Sequence, residues 1–245
     1  HELQAINQKV NDLIESNETG ENSSTRLIQP GDVETYEPET VDIADGNHNH
    51  EAIIVFQAPS PRSKRDRSLD DIRNTTIRKN ISQLVKEHGP IQTENAFRNV
   101  IRQWNISQLG KRIRQTLNGH VLTLHQNDEL VRNNGFLWPP RKSLDFKIRI
   151  NDGNDSRDIG EIPLEEIAKA AALILQEGGN MKKDDLVLET ARLFGYQRRG
   201  KRIEKRVGGA IDILNDVGAI ELDEDEKINL RPNVEINEKL LNRIY

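Results

Sequence analysis

Between residues 76 and 126, apolar residues recur three or four positions apart, the spacing of helices that bury one face. It predicts helices over Thr76–His88 and Thr93–Gln103, then a third starting near Gly110. Ile113, Leu117, Val121 and Leu124 form the inward stripe of that third helix. Gly89 reads as a helix stop, and Thr93 as a cap for the second helix. The tight turn "WNISQLG" separates the second helix from the third. After Gln126 the period falls to two. The stretch "ELVRNNGFLW" (Glu129–Trp138) predicts two short strands around Asn134-Gly135, a pair suited to a two-residue hairpin turn. Pro139-Pro140 ends the second strand, because proline cannot donate to a ladder.

The same rhythm returns 90 positions later. Gly110-Lys111-Arg112-Ile113 becomes Gly200-Lys201-Arg202-Ile203, and apolar classes stay in register around it. Ile77 meets Ile167, Trp104 meets Phe194, and Leu117 and Val121 meet Val207 and Ile211. The second set of helices is predicted over Pro163–Gly178, over Lys183–Phe194 and from Gly200, with "AIELDEDEKINL" (Ala219–Leu230) as its hairpin. Helix, helix, helix, hairpin is the plan of a winged helix-turn-helix, in which helices two and three form the helix-turn-helix and the hairpin is the wing. The expected fold is therefore mainly α with small β-hairpins (α+β). Two tandem winged helix-turn-helix domains occupy 76–141 and 159–236, joined by a linker over 142–158. Upstream, Leu3, Ile6, Val10, Leu13 and Ile14 predict an amphipathic helix within residues 1–15. Residues 16–75 read as an acidic then basic linker with a short strand at Ala52–Phe56, and residues 237–245 as a C-terminal helical tail.

Charge sharpens this division. The chain of 245 residues carries a net −5, but the sign is segregated. Residues 1–51 hold twelve acids and two bases, residues 76–150 thirteen bases and five acids, and residues 151–245 fifteen bases and twenty acids. A basic module thus stands between acidic ones, which points to an anionic partner for the first copy. There are no cysteines, so disulfides, thiol catalysis and cysteine-ligated zinc are excluded. This fits a cytoplasmic protein. No run of residues reaches the ~18 apolar positions of a membrane span, and no secretory leader is evident. The first residue is His1 rather than methionine, which predicts a fragment of a longer chain.

In a helix-turn-helix the third helix enters the major groove with its N-terminal residues at the base edges. The core stripe leaves Lys111, Arg112, Arg114 and Gln115 outward in copy one, and Lys201, Arg202, Lys205 and Arg206 outward in copy two. Arg198 and Arg199 fall in the preceding turn, and Arg132 lies beside the first wing tip. Arginine and lysine are the side chains that reach phosphates and guanine edges. These eleven positions are the candidate nucleic-acid-binding residues, with double-stranded DNA as the expected ligand. The competing account is a solvated face, since any amphipathic helix has a charged outer side. The copies also differ: copy two carries "DEDE" (Asp223–Glu226) at its wing tip, where acids oppose phosphate. Copy one is therefore the expected DNA binder, and copy two the expected docking surface for protein.

Other chemistry is not indicated. "HNHE" (His48–Glu51) resembles a ligand set but stands in an acidic linker with no partner cluster, and His120 and His125 are five apart on no common helix face. No phosphate-binding glycine loop and no Ser-His-Asp constellation appears. Catalytic residues, metal and cofactor are therefore expected to be absent. Glu165 and Glu166 read as first-turn helix acids, favoured by the macrodipole.

Together "GPI" (Gly89–Ile91), the "GKRI" third helix, "GFLWPP" (Gly135–Pro140), "EIPLEEIAKA" (Glu161–Ala170) and "ARLFGYQRRGKRI" (Ala191–Ile203) carry a resemblance. Residues 76–235 resemble the C-terminal domain of unknown function of large bacterial superfamily I helicase-like proteins. Those proteins place a very-short-patch-repair-like endonuclease domain before it. The resemblance implies a DNA-processing parent with ATP-dependent motor and nuclease parts, in several cases tied to phage defence. ATP and magnesium would belong to that parent. The module itself would position DNA for the parent. The alternatives are a regulatory module docking on the motor or nuclease, and a stand-alone transcription regulator.

Overall fold

The computed structural model describes residues 52–60, 68–151, 155–198 and 200–245. The helix expected within residues 1–15, the acidic linker to residue 51, "HNHE" and Arg199 lie outside the described residues. The described chain is a mixed α+β structure with seven α-helices and small sheets.

Strand β1 (Ile53–Val55) comes first, then a single 3-10 turn (Leu69–Asp71) and helix α1 (Asn74–His88). A two-residue strand β2 (Ile91–Gln92) leads directly into α2 (Thr93–Arg102). Helix α3 (Lys111–Gln126) is followed by the hairpin β3 (Val131–Asn133) and β4 (Phe136–Trp138). Strand β5 (Ile148–Ile150) falls inside the stretch read from sequence as a linker; it pairs in parallel with β1, Ile53 opposite Ile148 and Val55 opposite Ile150. A second 3-10 turn (Ile159–Glu161) then opens α4 (Leu164–Gly178), β6 (Met181–Lys182), α5 (Lys183–Leu193) and α6 (Lys201–Asp216). The hairpin β7 (Ile220–Leu222) and β8 (Lys227–Leu230) follows, and α7 (Ile236–Ile244) ends the chain. The 3-10 turns start at 69 and 159, the first helices at 74 and 164, the third at 111 and 201. The 90-residue offset thus holds in the elements and extends upstream to the 3-10 turns.

Sequence periodicity does not reveal β2 and β6, because two residues are too few to show a period. Each completes a three-stranded antiparallel sheet, in the orders β2-β4-β3 and β6-β8-β7. This changes the role of Thr93. With no loop between β2 and α2 it lies inside the helix and caps nothing; its amide and its hydroxyl both donate to the Gly135 carbonyl, at 2.9 Å each. The hairpin tip is thereby held against the start of α2.

The described chain forms two compact bodies. Of the described residues, one takes in 52–56, 148–151, 168–198 and 200–234; the other takes in 57–60, 68–147, 155–167 and 235–245. In the second body one core joins α1 (Ile77, Ile81, Leu84, Val85), α2 (Phe97, Val100, Ile101) and α3 (Leu117, Val121, Leu124). Trp138 on β4 is 1% exposed and meets Phe146 edge-on at 6.1 Å between ring centres. Gly89 is required by packing: a Cβ there would collide with the Val85 carbonyl oxygen and the ring of Pro139.

Helix α7 belongs to this same body and covers part of its hairpin. The Asn133 amide donates to the carbonyls of Arg243 (2.9 Å) and Ile244 (3.0 Å), satisfying the helix end. Arg141 pairs with Glu238 at 2.7 Å, and the Tyr245 hydroxyl donates to the Pro139 carbonyl at 2.5 Å. Burial pushes the Tyr245 phenol up to about 12, against the opposing effect of Arg141.

Glu165 and Glu166 are first-turn residues of α4 that are also buried, and Glu166 has a partner sequence reasoning missed. Arg157 pairs with it at 2.8 Å, the two side chains 5% and 0% exposed. The body built on the second copy packs Leu186, Val187, Phe194, Val207, Ile211 and Leu214 inward.

Candidate nucleic-acid interface

The start of α3 is set by the turn before it. Asn105 takes a left-handed backbone (φ 57°) just after Trp104, which is buried, and Gly110 is extended at the N-cap. No side chain caps α3 at Gly110, so its first-turn amides lack the usual side-chain acceptor. Beside that helix start lies a groove of about 490 Å3. Leu69, Ile106 and Ile113 give it an apolar side; Asp70, Lys111 and Arg112 give it a charged one.

The four predicted residues of α3 do not behave alike. Lys111, Arg112 and Gln115 are exposed. Arg112 reaches Asp70 at 2.9 Å, with both side chains mostly in water (82% and 58% exposed). Such a surface pair contributes ~0–1 kcal/mol. Arg114 is different. It holds Glu94 of α2 through two hydrogen bonds, at 2.6 and 3.0 Å, and keeps the Glu94 carboxyl below its usual range. The arginine is thus a strut between the two helices rather than an outward base. Only tertiary structure reveals it, since Glu94 and Arg114 are twenty residues apart. Arg132, on β3, is exposed.

In the other body, Arg198, Lys201, Arg202 and Lys205 are exposed and Arg206 is half-buried. The positions matching Glu94 and Arg114 hold Asp184 and Glu204, two acids that cannot make the strut. Lys183 lies 3.6 Å from Asp212 on the outer side of α6. The acidic hairpin tip is partly structural. The Asp223 carboxylate accepts from the amides of Asp225 and Lys227 (2.9 Å each) and from the side chains of Asn180 (3.0 Å) and Asn229 (3.3 Å). The Lys227 amide is the largest of the contacts that lower its pKa. Glu224, Asp225 and Glu226 remain exposed, and so does Leu222, at 69%.

Two histidines lie on α3. His120 is buried on α3, its titration lowered by burial and then by Arg78. His125 approaches the Leu130 carbonyl at 3.3 Å. Among the described residues no group of three or more His, Asp or Glu could hold a metal ion, and no helix is long and apolar enough to cross a membrane.

Residues 67–115 match the family described as a protein of unknown function (DUF3320). That span runs from just before the first 3-10 turn into the first turn of α3, and includes Asp70, Glu94, Lys111, Arg112 and Arg114. No curated protein and no solved structure matches the chain.

Proposed function

We propose that the chain is a non-enzymatic nucleic-acid-binding module made of two winged helix-turn-helix copies, serving the C-terminal end of a larger DNA-processing protein of the helicase and nuclease type. The copy around α3 binds the nucleic acid. The observation that carries this is the cluster of exposed Lys111, Arg112 and Gln115 at the uncapped start of α3, which in this reading is the second helix of a helix-turn-helix pair. Support for the winged arrangement comes from the element order and from the short strand between the first and second helices, which joins the hairpin in one sheet. In this reading α3 supplies the groove contacts and Arg132 a phosphate contact from the hairpin. Arg114 is left out, because it holds α2 and α3 together.

The test is fluorescence-anisotropy titration of a labelled duplex at several salt concentrations. Lys111→Glu with Arg112→Glu should remove most binding and flatten the salt slope by about two, one per lost phosphate contact. Lys201→Glu with Arg202→Glu should change affinity less. A larger loss in the α6 double variant would reverse the assignment of the copies, and no loss in either would remove the proposal. A second reading, protein docking through the other copy, is favoured by Leu222, exposed at 69% beside the acidic hairpin tip. On that reading Leu222→Ser should abolish association with a motor or nuclease domain while leaving duplex binding unchanged.

A further inference from the structure

Gly119 sits in the middle of α3 and is exposed. Its backbone is not left-handed, so conformation does not call for glycine. A Cβ there would meet no atom of the surrounding chain within 4 Å, so internal packing does not call for it either. Glycine is the poorest helix former after proline, because it gives up the most backbone freedom on folding. Gly119 therefore weakens α3 without an internal return.

Its position on the helix suggests where the return lies. At 3.6 residues per turn, Lys111, Arg112, Gln115, Gly119 and Leu122 share one sector of about 100°, and all five are exposed. Gly119 lies inside that sector, about 20° around the helix from Arg112 and about 40° from Gln115. The sector contains no acid, and it continues the basic start of α3 along the helix axis. Gly209 occupies the matching place on α6. Glycine outside a turn commonly marks a place where another backbone or a ligand comes close.

We infer that Gly119 is the close-approach point of the interface: the sugar-phosphate backbone of a nucleic acid held by Lys111 and Arg112 crosses α3 at Gly119, nearer than any side chain would allow. This rests on the reading of α3 as the nucleic-acid face. The contact is steric and involves no charge, which separates it from the lysine and arginine contacts in any salt titration.

The experiment compares the full chain with Gly119→Ala and Gly119→Leu, by thermal melting and by anisotropy against a labelled DNA duplex at several salt concentrations. Both variants should melt higher than the parent, by roughly 2–4 °C. Affinity should nevertheless fall, slightly for alanine and about fivefold to a hundredfold for leucine. The salt slope should stay that of the parent chain. Variants that melt higher and bind like the parent would overturn the inference while leaving the interface in place. A loss of affinity accompanied by a lower melting temperature would also overturn it, since the loss would then be unfolding. A parent chain that binds no duplex would remove both the interface and the inference.

Discussion

Helices α3 and α6 begin alike and end differently. Each starts at an N-cap glycine followed by Lys-Arg-Ile, and each carries a glycine, Gly119 or Gly209, two turns further along the same side. Beyond that glycine, α3 presents Leu122 and Gln126, whereas α6 presents Asp212 and Asp216. A polyanion laid along α3 meets no acid; one laid along α6 meets two. The hairpins diverge in the same sense. The first turns through Asn134 (φ 46°) and Gly135 (φ 82°), the left-handed pair of a two-residue turn. The second turns through Glu224, Asp225 and Glu226 and needs the Asp223 carboxylate to organise it. A basic motif repeated in sequence therefore does not repeat a surface. The residues one and two turns further on decide whether the basic start continues along the helix or gives way to acids.

The two copies should also differ in what holds them folded. The largest effect is expected at Trp138, which fills the first copy's sheet. Trp138→Ala should cost about 3–5 kcal/mol, measured by urea or thermal unfolding. Ile228→Ala, in the corresponding strand of the second copy and also buried, should cost about 2–5 kcal/mol. If the tryptophan change proved the milder of the two, the first sheet would not depend on its aromatic core.

The entry to the second copy depends on a buried ion pair that the first lacks, since Thr76 stands where Glu166 would be. Arg157→Met removes the arginine from a carboxylate that stays buried, and should cost about 3–5 kcal/mol. Adding Glu166→Met should recover most of it, by the same denaturation measurement. A double variant as unstable as the single one would mean that packing, rather than charge, is lost.

Acid should separate the copies, because Ala210 stands where the first has His120. Burial lowers the folded pKa of His120 below its unfolded value of about 6.5. Its neutral form is therefore the one that fits the fold. Its contribution is complete above that value and is lost as pH falls from there toward the folded pKa. His120→Ala should flatten the stability profile below about pH 6.5, read from melting temperatures across a pH series. An unchanged profile would place the acid sensitivity elsewhere.

The smallest effect concerns the second hairpin. Glu226 takes a left-handed backbone (φ 59°) that only glycine adopts without strain. Glu226→Gly should stabilise by up to about 1 kcal/mol, while Gly135→Ala in the first hairpin should destabilise by a similar amount. Melting temperatures of the two variants would check both signs.

The sequence alone determined the element plan. Periodicity located the helices because an amphipathic helix writes its buried face at every third or fourth position, and Asn134-Gly135 located a turn because few residues tolerate its backbone. The 90-residue repeat was legible for the same reason: core positions keep their spacing even when surface residues change. Sequence also placed the basic residues at the starts of α3 and α6. It did not reveal that Arg114 is held by Glu94, that Asp223 is tied up in its own turn, or that Glu166 is buried against Arg157. Ion pairs and caps have no period; they form wherever the fold brings two side chains within about 3 Å. Nor did sequence show that Asn133 and Pro139 receive α7, about a hundred residues further along, or that β5 pairs with β1. Contacts between distant segments follow from how the helices and sheets pack, and it is that packing which leaves Lys111 and Arg112 exposed while Arg114 is held by Glu94.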